Sequence, residues 1–361
     1  MSANVEPHVG ALIYYTLVVM FIITPFTGAM TDAPTMQRRK DMLMSQVAHP
    51  HQKPFQVGVA GQAAPRHRTR AEGRSWFHLP ALVYMIVLTQ IPFVLAVWFS
   101  LHDWNLLVPS EGFPFVGLAN YITAFFHDPN FWPVMGNTLE LVVGSMVLAL
   151  IGGTILALLL NRPIPGRGVL RALATVPFLV TPSVMALIWK NLFLSPSSGL
   201  IDWAIHLTGI PAVAWFSTFP LQSIILIVAW EWMPFVMLVL LAGLQSIPHE
   251  VLEAAKVDGA SAWTTFWQII FPLLRKAYEI ALLFGTIFIF QTFGEIYVTT
   301  SGGPGVSTNT LPYYTYRSAF TSFQIGQASA LGVIGVVVAI LAARGMLRLM
   351  TERSEVAKAR A

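Results

Sequence analysis

The sequence contains no cysteine and few charged residues, and both absences limit what the protein can be. Charged side chains make up 11% of the 361 residues, whereas a typical soluble domain carries about 25%. Hydrophobic residues make up 55%, a composition that excludes a soluble enzyme, a nucleic-acid-binding protein and a disordered chain. Without cysteine, the chain can form neither a disulfide framework nor a thiolate metal site. The composition therefore predicts a polytopic membrane protein.

Long apolar stretches indicate where this chain crosses the membrane. A spanning helix needs about 20 mostly apolar residues, and six stretches meet that requirement: 78–101, 137–160, 169–193, 221–245, 277–300 and 325–350. They are continuous rather than alternating, which excludes a β-barrel and predicts an all-α protein with six core transmembrane helices. A seventh stretch, residues 11–29, lacks the basic region of a signal peptide, and we interpret it as an extra N-terminal helix or a start-site artefact.

The positions of the basic residues predict the orientation of these helices. Lys and Arg accumulate on the cytoplasmic side of short loops. Of the 21 such residues, all but Lys190 and Arg317 lie in alternate connections or in the two terminal segments. We therefore predict a multi-pass membrane protein with a cytoplasmic C-terminus. Its predicted parts are an N-terminal extension (1–75) with the possible extra helix and a basic cytoplasmic linker, a six-helix domain (76–350) and a cytoplasmic tail (351–361).

The cytoplasmic loop between the fourth and fifth stretches, residues 246–272, has a recognisable local pattern. Pro248 can open a helix, and Glu250 then lies in the first turn, where the helix dipole favours a carboxylate. Gly259 supplies a flexible or left-handed stop. A second helical stretch, residues 261–270, leads to Pro272. The pattern predicts a short helix–Gly–helix that either presents a surface to another protein or merely connects two spans.

The same loop resembles the EAA loop of the membrane subunits of bacterial binding-protein-dependent ABC importers. That motif has EAA, three residues, Gly, nine residues and Ile-x-Leu-Pro. The residues here are Glu253, Ala254, Ala255, Asp258, Gly259, Ile269 and Pro272, with Phe271 in place of Leu. The segments 92–104, 241–248 and 300–304 are similar to the sugar-importer branch of the family, which contains maltose and glycerol-phosphate permeases.

The resemblance implies the type I ABC importer permease fold, a location in the bacterial inner membrane and a function in import. The chain would pair with a second, similar permease subunit to form a heterodimer. Its EAA loop would dock on a cytoplasmic ABC ATPase dimer, and a periplasmic or lipid-anchored solute-binding protein would deliver a sugar, oligosaccharide, polyol or glycerol-phosphate-type solute. The chain has no G-x-x-x-x-G-K-[ST] motif, so it is expected to be no enzyme and to bind no cofactor, while ATP and Mg²⁺ are used by the partner ATPase.

Ionisable residues inside spans are costly and usually face the interior of the bundle, so they are candidates for the substrate pathway. Glu231 lies between Trp230 and Trp232. Indole rings can stack on the CH faces of a sugar while a carboxylate bonds its hydroxyl groups. The alternative is that Glu231 bonds a neighbouring helix and the tryptophans face lipid.

A second group of candidates lies in the outer half of the fifth stretch. Gln291, Glu295 and Tyr297 occur together there, and the first two are four residues apart, so they are expected to share one helix face. We interpret that face as one that lines the pore or contacts substrate. The nine histidines show no metal-ligating spacing, and no metal site is predicted.

Three other functions share parts of this pattern. A permease of the same architecture for a different solute fits equally well, because the loop motif reports the coupling and not the cargo. A secondary transporter would be expected to have inverted repeats, interrupted helices and an ion site at the midplane. A membrane enzyme, such as a lipid-linked glycosyltransferase, would need a cluster of catalytic carboxylates or an acidic metal-binding motif.

Overall fold

The computed structural model describes residues 79–108, 112–209 and 211–359, and the N-terminal extension with residues 11–29 lies outside this part. Within these ranges the chain forms α-helices and no β-strand. The helices are α1 Leu79–Ser100, α2 Ala119–Ile122, α3 Phe131–Leu160, α4 Arg167–Leu179, α5 Pro182–Ile188, α6 Leu200–His206, α7 Trp215–Thr218, α8 Pro220–Gln245, α9 His249–Val257, α10 Ala262–Thr265, α11 Phe271–Leu273, α12 Arg275–Ile289, α13 Gly294–Thr299, α14 Leu311–Phe320 and α15 Ile325–Ala359. Single π-helical turns follow α2, α5 and α10, at Thr123–His127, Trp189–Phe193 and Phe266–Ile270.

Four of the described helices are long and apolar enough to cross a membrane: α1, α3, α8 and the part of α15 up to Arg348. They correspond to the first, second, fourth and sixth predicted spans. The all-α polytopic fold is thereby confirmed. By its internal contacts the chain divides between Leu95 and Ala96, and all packing described below lies within the unit that begins at Ala96.

The third predicted span, residues 169–193, is bent instead of straight. Its two halves are α4 and the segment Pro182–Phe193, and they meet at an angle of 104°. The bend falls at Thr181, whose backbone is extended at φ −59° and ψ 134°. A residue before proline is driven out of the helical region, and Pro182 therefore forces this break. Pro92 and Pro177 lie within α1 and α4.

The fifth predicted span, residues 277–300, is two helices and not one. α12 ends at Ile289, and α13 begins at Gly294 after a turn over residues 290–293. At Gly294, α13 approaches the start of α5 so closely that a Cβ would lie 2.9 Å from the Ser183 hydroxyl oxygen. The second halves of both interrupted spans thus pack against each other.

The centre of the bundle is the packing of α8 against α3, α4 and α12. Glycines of α3 permit the close approach of α8. A Cβ on Gly153 would lie 2.7 Å from the Cβ of Val236, and a Cβ on Gly144 would lie 3.1 Å from the Ile225 side chain. Small residues at helix interfaces are how membrane helices gain close van der Waals contact.

Hydrogen bonds fix the segment between α13 and α14 to the N-terminal end of α3. The side-chain amide of Asn137 donates to the carbonyl groups of Val306 and Asn309, at 2.8 and 3.1 Å. The backbone amide of Leu311 donates to the Thr138 hydroxyl at 2.9 Å. This end of the bundle is opposite the loop that joins α8 to α12. The hydrogen bonds hold the segment between α13 and α14 in a fixed position there.

Candidate functional site

The predicted loop helix is α9, and its two ends follow from the sequence pattern. It starts after Pro248, with Glu250 in its first turn. At its other end, the amide of Gly259 donates to the Lys256 carbonyl at 3.1 Å and the amide of Ala260 donates to the Ala255 carbonyl at 3.0 Å. These two bonds are a Schellman motif, which requires a left-handed residue. Gly259 provides it with a φ of +73°.

Most of the surface of α9 is uncovered in the described chain. Ala255 is buried, with 4% of its surface exposed, whereas Glu253, Ala254 and Asp258 are exposed. Val257 is 87% exposed. The EAA residues thus divide into one alanine that packs against the protein and neighbours that present a free face.

The loop returns to the bundle through a tightly packed junction. Ser261 caps α10 by accepting a hydrogen bond from the Thr264 amide at 3.1 Å, and Pro272 lies in the short helix α11. Leu274 is 2% exposed, and a Cβ on Gly243 would lie 2.8 Å from its side chain. The end of α8 and the start of α12 are therefore in direct contact on either side of the loop.

Two of the predicted substrate-pathway residues meet in the interior. The side chains of Glu231 on α8 and Glu295 on α13 lie beside each other. Both residues are buried, and one carboxylate oxygen of Glu231 has no hydrogen-bond partner. Buried polar atoms are normally paired. This unpaired oxygen is therefore an exception, and it has unused capacity to accept a hydrogen bond.

Gln291 lies in the turn that separates α12 from α13, so the expectation that it shares one helix face with Glu295 is wrong. It is 1% exposed, and its amide nitrogen donates to the Ile287 carbonyl at 3.1 Å. Its side-chain oxygen has no partner. The interior thus contains a second free acceptor, on the interrupted span.

The two tryptophans beside Glu231 do not face the carboxylate together. Trp230 is 45% exposed, and its ring lies 6.0 Å from that of Trp189 on the segment after the bend. Trp232 instead stacks on Phe288 of α12 at 5.5 Å and contacts Phe178 of α4. Successive residues of a helix point about 100° apart. Trp230 and Trp232 are two residues apart, so their indole rings point to nearly opposite sides of α8.

An aromatic cluster next to Glu295 was only partly predicted. Tyr297 belongs to it, and its ring stacks on Phe293 at 5.6 Å. Tyr316 of α14 lies 5.0 Å from Phe293 and 5.7 Å from Tyr297, and Tyr313 lies 5.8 Å from Phe293. The spacing of Tyr313 and Tyr316 indicates a shared helix face, but only the fold brings that face to α13.

Lys190, one of two basic residues on the sparsely charged side, also has a place in this arrangement. Its ammonium group donates to the carbonyl groups of Val298 and Thr299, at 3.0 and 2.7 Å. These carbonyls are at the C-terminal end of α13, where a cation is favoured. Lys190 therefore fixes the short helix that carries Glu295 and Tyr297.

The hydrogen bond between Tyr314 and Asp128 ties α14 to the polar segment before α3. The Tyr314 hydroxyl donates to an Asp128 carboxylate oxygen at 2.7 Å. Burial raises the pKa of the Tyr314 phenol to about 12, and the carboxylate of Asp128 contributes to the increase. The phenol therefore stays protonated and able to donate at neutral pH.

Apolar spanning helices, two interrupted spans and polar side chains that meet in the interior define an integral membrane protein of the transport type. The sequence pattern of the family described as "Binding-protein-dependent transport system inner membrane component" matches residues 149–355, more than half of the chain. The chain belongs to this family, and it is a multi-pass inner-membrane subunit of a transport system.

Curated relatives cover most of the chain. A probable ABC transporter permease protein of Sinorhizobium fredii is 36% identical over 75% of this chain and 88% of its own length. The trehalose/maltose transport system permease protein MalF of Thermococcus litoralis is 35% identical over 73% of this chain and 87% of its own length. A crystal structure of a bacterial ABC transporter involved in the import of the acidic polysaccharide alginate has the same fold. Its TM-score is 0.64 at 21% identity, over 77% of this chain and 94% of that chain.

Proposed function

We propose that this protein is the membrane-spanning permease subunit of an ATP-driven importer for a sugar, oligosaccharide, polyol or glycerol-phosphate-type solute. Its helix α9 docks on a separate cytoplasmic ABC ATPase dimer, which binds ATP and Mg²⁺, while this chain binds no cofactor. A second permease subunit completes a heterodimer, and a solute-binding protein delivers the solute at the opposite face. The C-terminus is then on the cytoplasmic side, with the loop that contains α9.

The observation that carries the proposal is the free face of α9. A short helix with an exposed Glu253-Ala254 pair and a left-handed glycine end has no intramolecular partner for that face in the described chain. Because the helix is joined to α8 and α12 through the packed junction at Gly243 and Leu274, a force on it is transmitted to two helices of the bundle. This arrangement suits rigid-body alternating access driven from outside the chain.

The proposed solute class is supported by the relatives and by the interior chemistry. The relatives include a permease named for trehalose and maltose. The free oxygens of Glu231 and Gln291 can accept hydrogen bonds from sugar hydroxyl groups, and the exposed ring of Trp230 offers a face for CH groups. Tyr297 adds a further ring with a hydroxyl group. These four residues, with Glu295, are proposed to line the substrate pathway.

Two features of the structure also occur in secondary transporters: interrupted helices and a buried pair of carboxyl groups. They favour testing a self-powered mechanism as the competing function. A secondary transporter would take up solute against a gradient without an ATPase. The importer proposed here does not take up solute against a gradient unless its ATPase is present.

The docking test uses a substitution on the exposed alanine and not on the buried one. Ala254→Arg adds a long charged side chain to the free face, and we expect the co-purified ATPase to fall at least tenfold. Ala212→Arg, on an exposed loop elsewhere, is the matched control and should retain the ATPase. Equal retention by both variants would contradict docking through α9. ATP-independent uphill uptake by the purified chain in vesicles would establish the competing function instead.

A further inference from the structure

A large cleft opens between α3, the segment Ala262–Phe271 and the start of α12, away from the interior site. Its volume is about 890 Å³, within the range of about 300–1,000 Å³ found for small-molecule sites. Ile151 and Ile155 of α3 and Leu282 of α12 line it, and all three are also exposed on the surface of the bundle. The cleft is thus continuous with the apolar surface that acyl chains cover in a membrane.

The polar groups in this cleft are few, and most of them are paired with each other. Thr154 and Tyr278 share a hydrogen bond between their hydroxyl groups at 2.9 Å. The Nε of Arg275 donates to the Glu279 carboxylate at 2.9 Å. The Nη2 of Arg275 is buried without a partner, whereas 41% of the side chain is exposed. The cleft therefore offers one cationic donor group, the Arg275 guanidinium, which keeps N–H groups outside its ion pair with Glu279.

Two tryptophans place this donor at the edge of the membrane. Trp263 and Trp267 line the cleft on the loop side and are 73% and 45% exposed. Indole rings favour the headgroup region of a bilayer, and α12 enters the bundle at Arg275 directly after them. An occupant with its polar end at Arg275 and its apolar part along Ile151 and Ile155 would match the cleft.

We infer that this cleft binds an anionic phospholipid, with its phosphate at Arg275 and an acyl chain between α3 and α12. Charge complementarity selects the occupant, because a guanidinium with an unused donor favours a phosphate ester carrying net negative charge. Basic sites between transmembrane helices at the membrane edge are a known setting for anionic headgroups. The inference concerns a lipid site and goes beyond the proposed transport function.

The test measures quenching of tryptophan fluorescence by brominated lipid in vesicles that contain the full-length protein. Brominated phosphatidylglycerol is compared with brominated phosphatidylcholine at equal fractions in a phosphatidylcholine bilayer. One basic contact near the membrane surface corresponds to about 1 kcal/mol, so we expect about fivefold preferential binding of the anionic lipid. Trp263→Phe combined with Trp267→Phe should remove the preferential part of the quenching.

Variants of the two paired charges should move the preference in opposite directions. Arg275→Gln should abolish it, and Glu279→Gln should increase it because Nε is then also free. Lys276→Gln is the matched control, since that residue is adjacent but does not line the cleft. Ile151→Phe, which fills the cleft, should lower lipid binding, whereas Leu159→Phe on the same helix should not. These last two variants keep the test valid if Arg275→Gln fails to fold.

Five results would overturn the inference. Equal quenching by the two lipids would show that the cleft does not select charge. A preference that persists in Arg275→Gln, or one that Lys276→Gln also abolishes, would assign it to diffuse surface charge. Preferential quenching that survives the double tryptophan variant would place the lipid elsewhere. Preferential quenching that disappears when the chain is assembled with its partner subunits would identify the cleft as a protein interface.

Discussion

Adjacent glycines of α3 make it possible to measure how tightly α3 and α8 pack. A Cβ on Gly153 would lie 2.7 Å from the Cβ of Val236 and 3.0 Å from the Met233 carbonyl oxygen. Both atoms are fixed by the backbone of α8, so no rotamer change relieves the clash. A Cβ on Gly152 would instead meet the end of the Met233 side chain. Methionine has three rotatable side-chain bonds and can move away.

We therefore expect Gly153→Ala to be less stable than Gly152→Ala by about 1–3 kcal/mol, the usual cost of overpacking. Both variants gain the same helix propensity, about 1 kcal/mol, and this gain cancels in the comparison. Gly345→Ala in α15, where a Cβ meets nothing within 4 Å, measures that gain alone.

The assay is thermal unfolding of the purified full-length protein in detergent, followed by the fraction that remains monodisperse. By the scaling for domains of 150–250 residues, about 2–4 °C for each kcal/mol, the Tm values should differ by about 2–12 °C. Equal Tm values for Gly152→Ala and Gly153→Ala would refute the close approach of the two helix backbones. A Tm for Gly153→Ala above that of Gly345→Ala would refute it as well.

Further predictions concern the loop that contains α9 and the interior site. Gly259→Ala should weaken retention of the ATPase about fivefold or more in co-purification, because a left-handed alanine costs about 1–2 kcal/mol; Gly259→Asn should recover most of it. Lys190→Met leaves the last carbonyl groups of α13 unpaired, at a cost of about 1–3 kcal/mol, and should speed hydrogen exchange in that helix. Glu231→Gln keeps a polar side chain of the same length beside Glu295 and should change the KM for a labelled disaccharide with little change in Tm, whereas Glu231→Leu should lower both transport and Tm.

The loop helix shows how much local sequence can specify. Pro248, Glu250 and Gly259 predict where α9 starts and ends, because helix ends depend on neighbouring backbone and side-chain groups. The structure has this helix at His249–Val257. Which EAA residue is buried was not predictable, since the burial of Ala255 depends on how the loop returns to the bundle.

The interrupted spans show where local sequence is insufficient. Pro92, Pro177, Pro182 and Pro234 all lie in apolar stretches, but only Pro182 coincides with a sharp bend in the described chain. Proline removes one backbone donor, and whether a helix continues past it depends on the packing around it. The break at residues 290–293 contains no proline.

The sequence by itself determined that this protein is an all-helical membrane subunit, where most of its spans lie and where helix α9 ends. Apolar length, charge placement and capping residues are properties of neighbouring positions, so they can be read along the chain. Only the tertiary structure decided that Glu231 meets Glu295, that Lys190 holds α13 and that a cleft forms beside Arg275. Each of these contacts joins residues far apart in sequence, and helix bends and close packing at glycines bring them together.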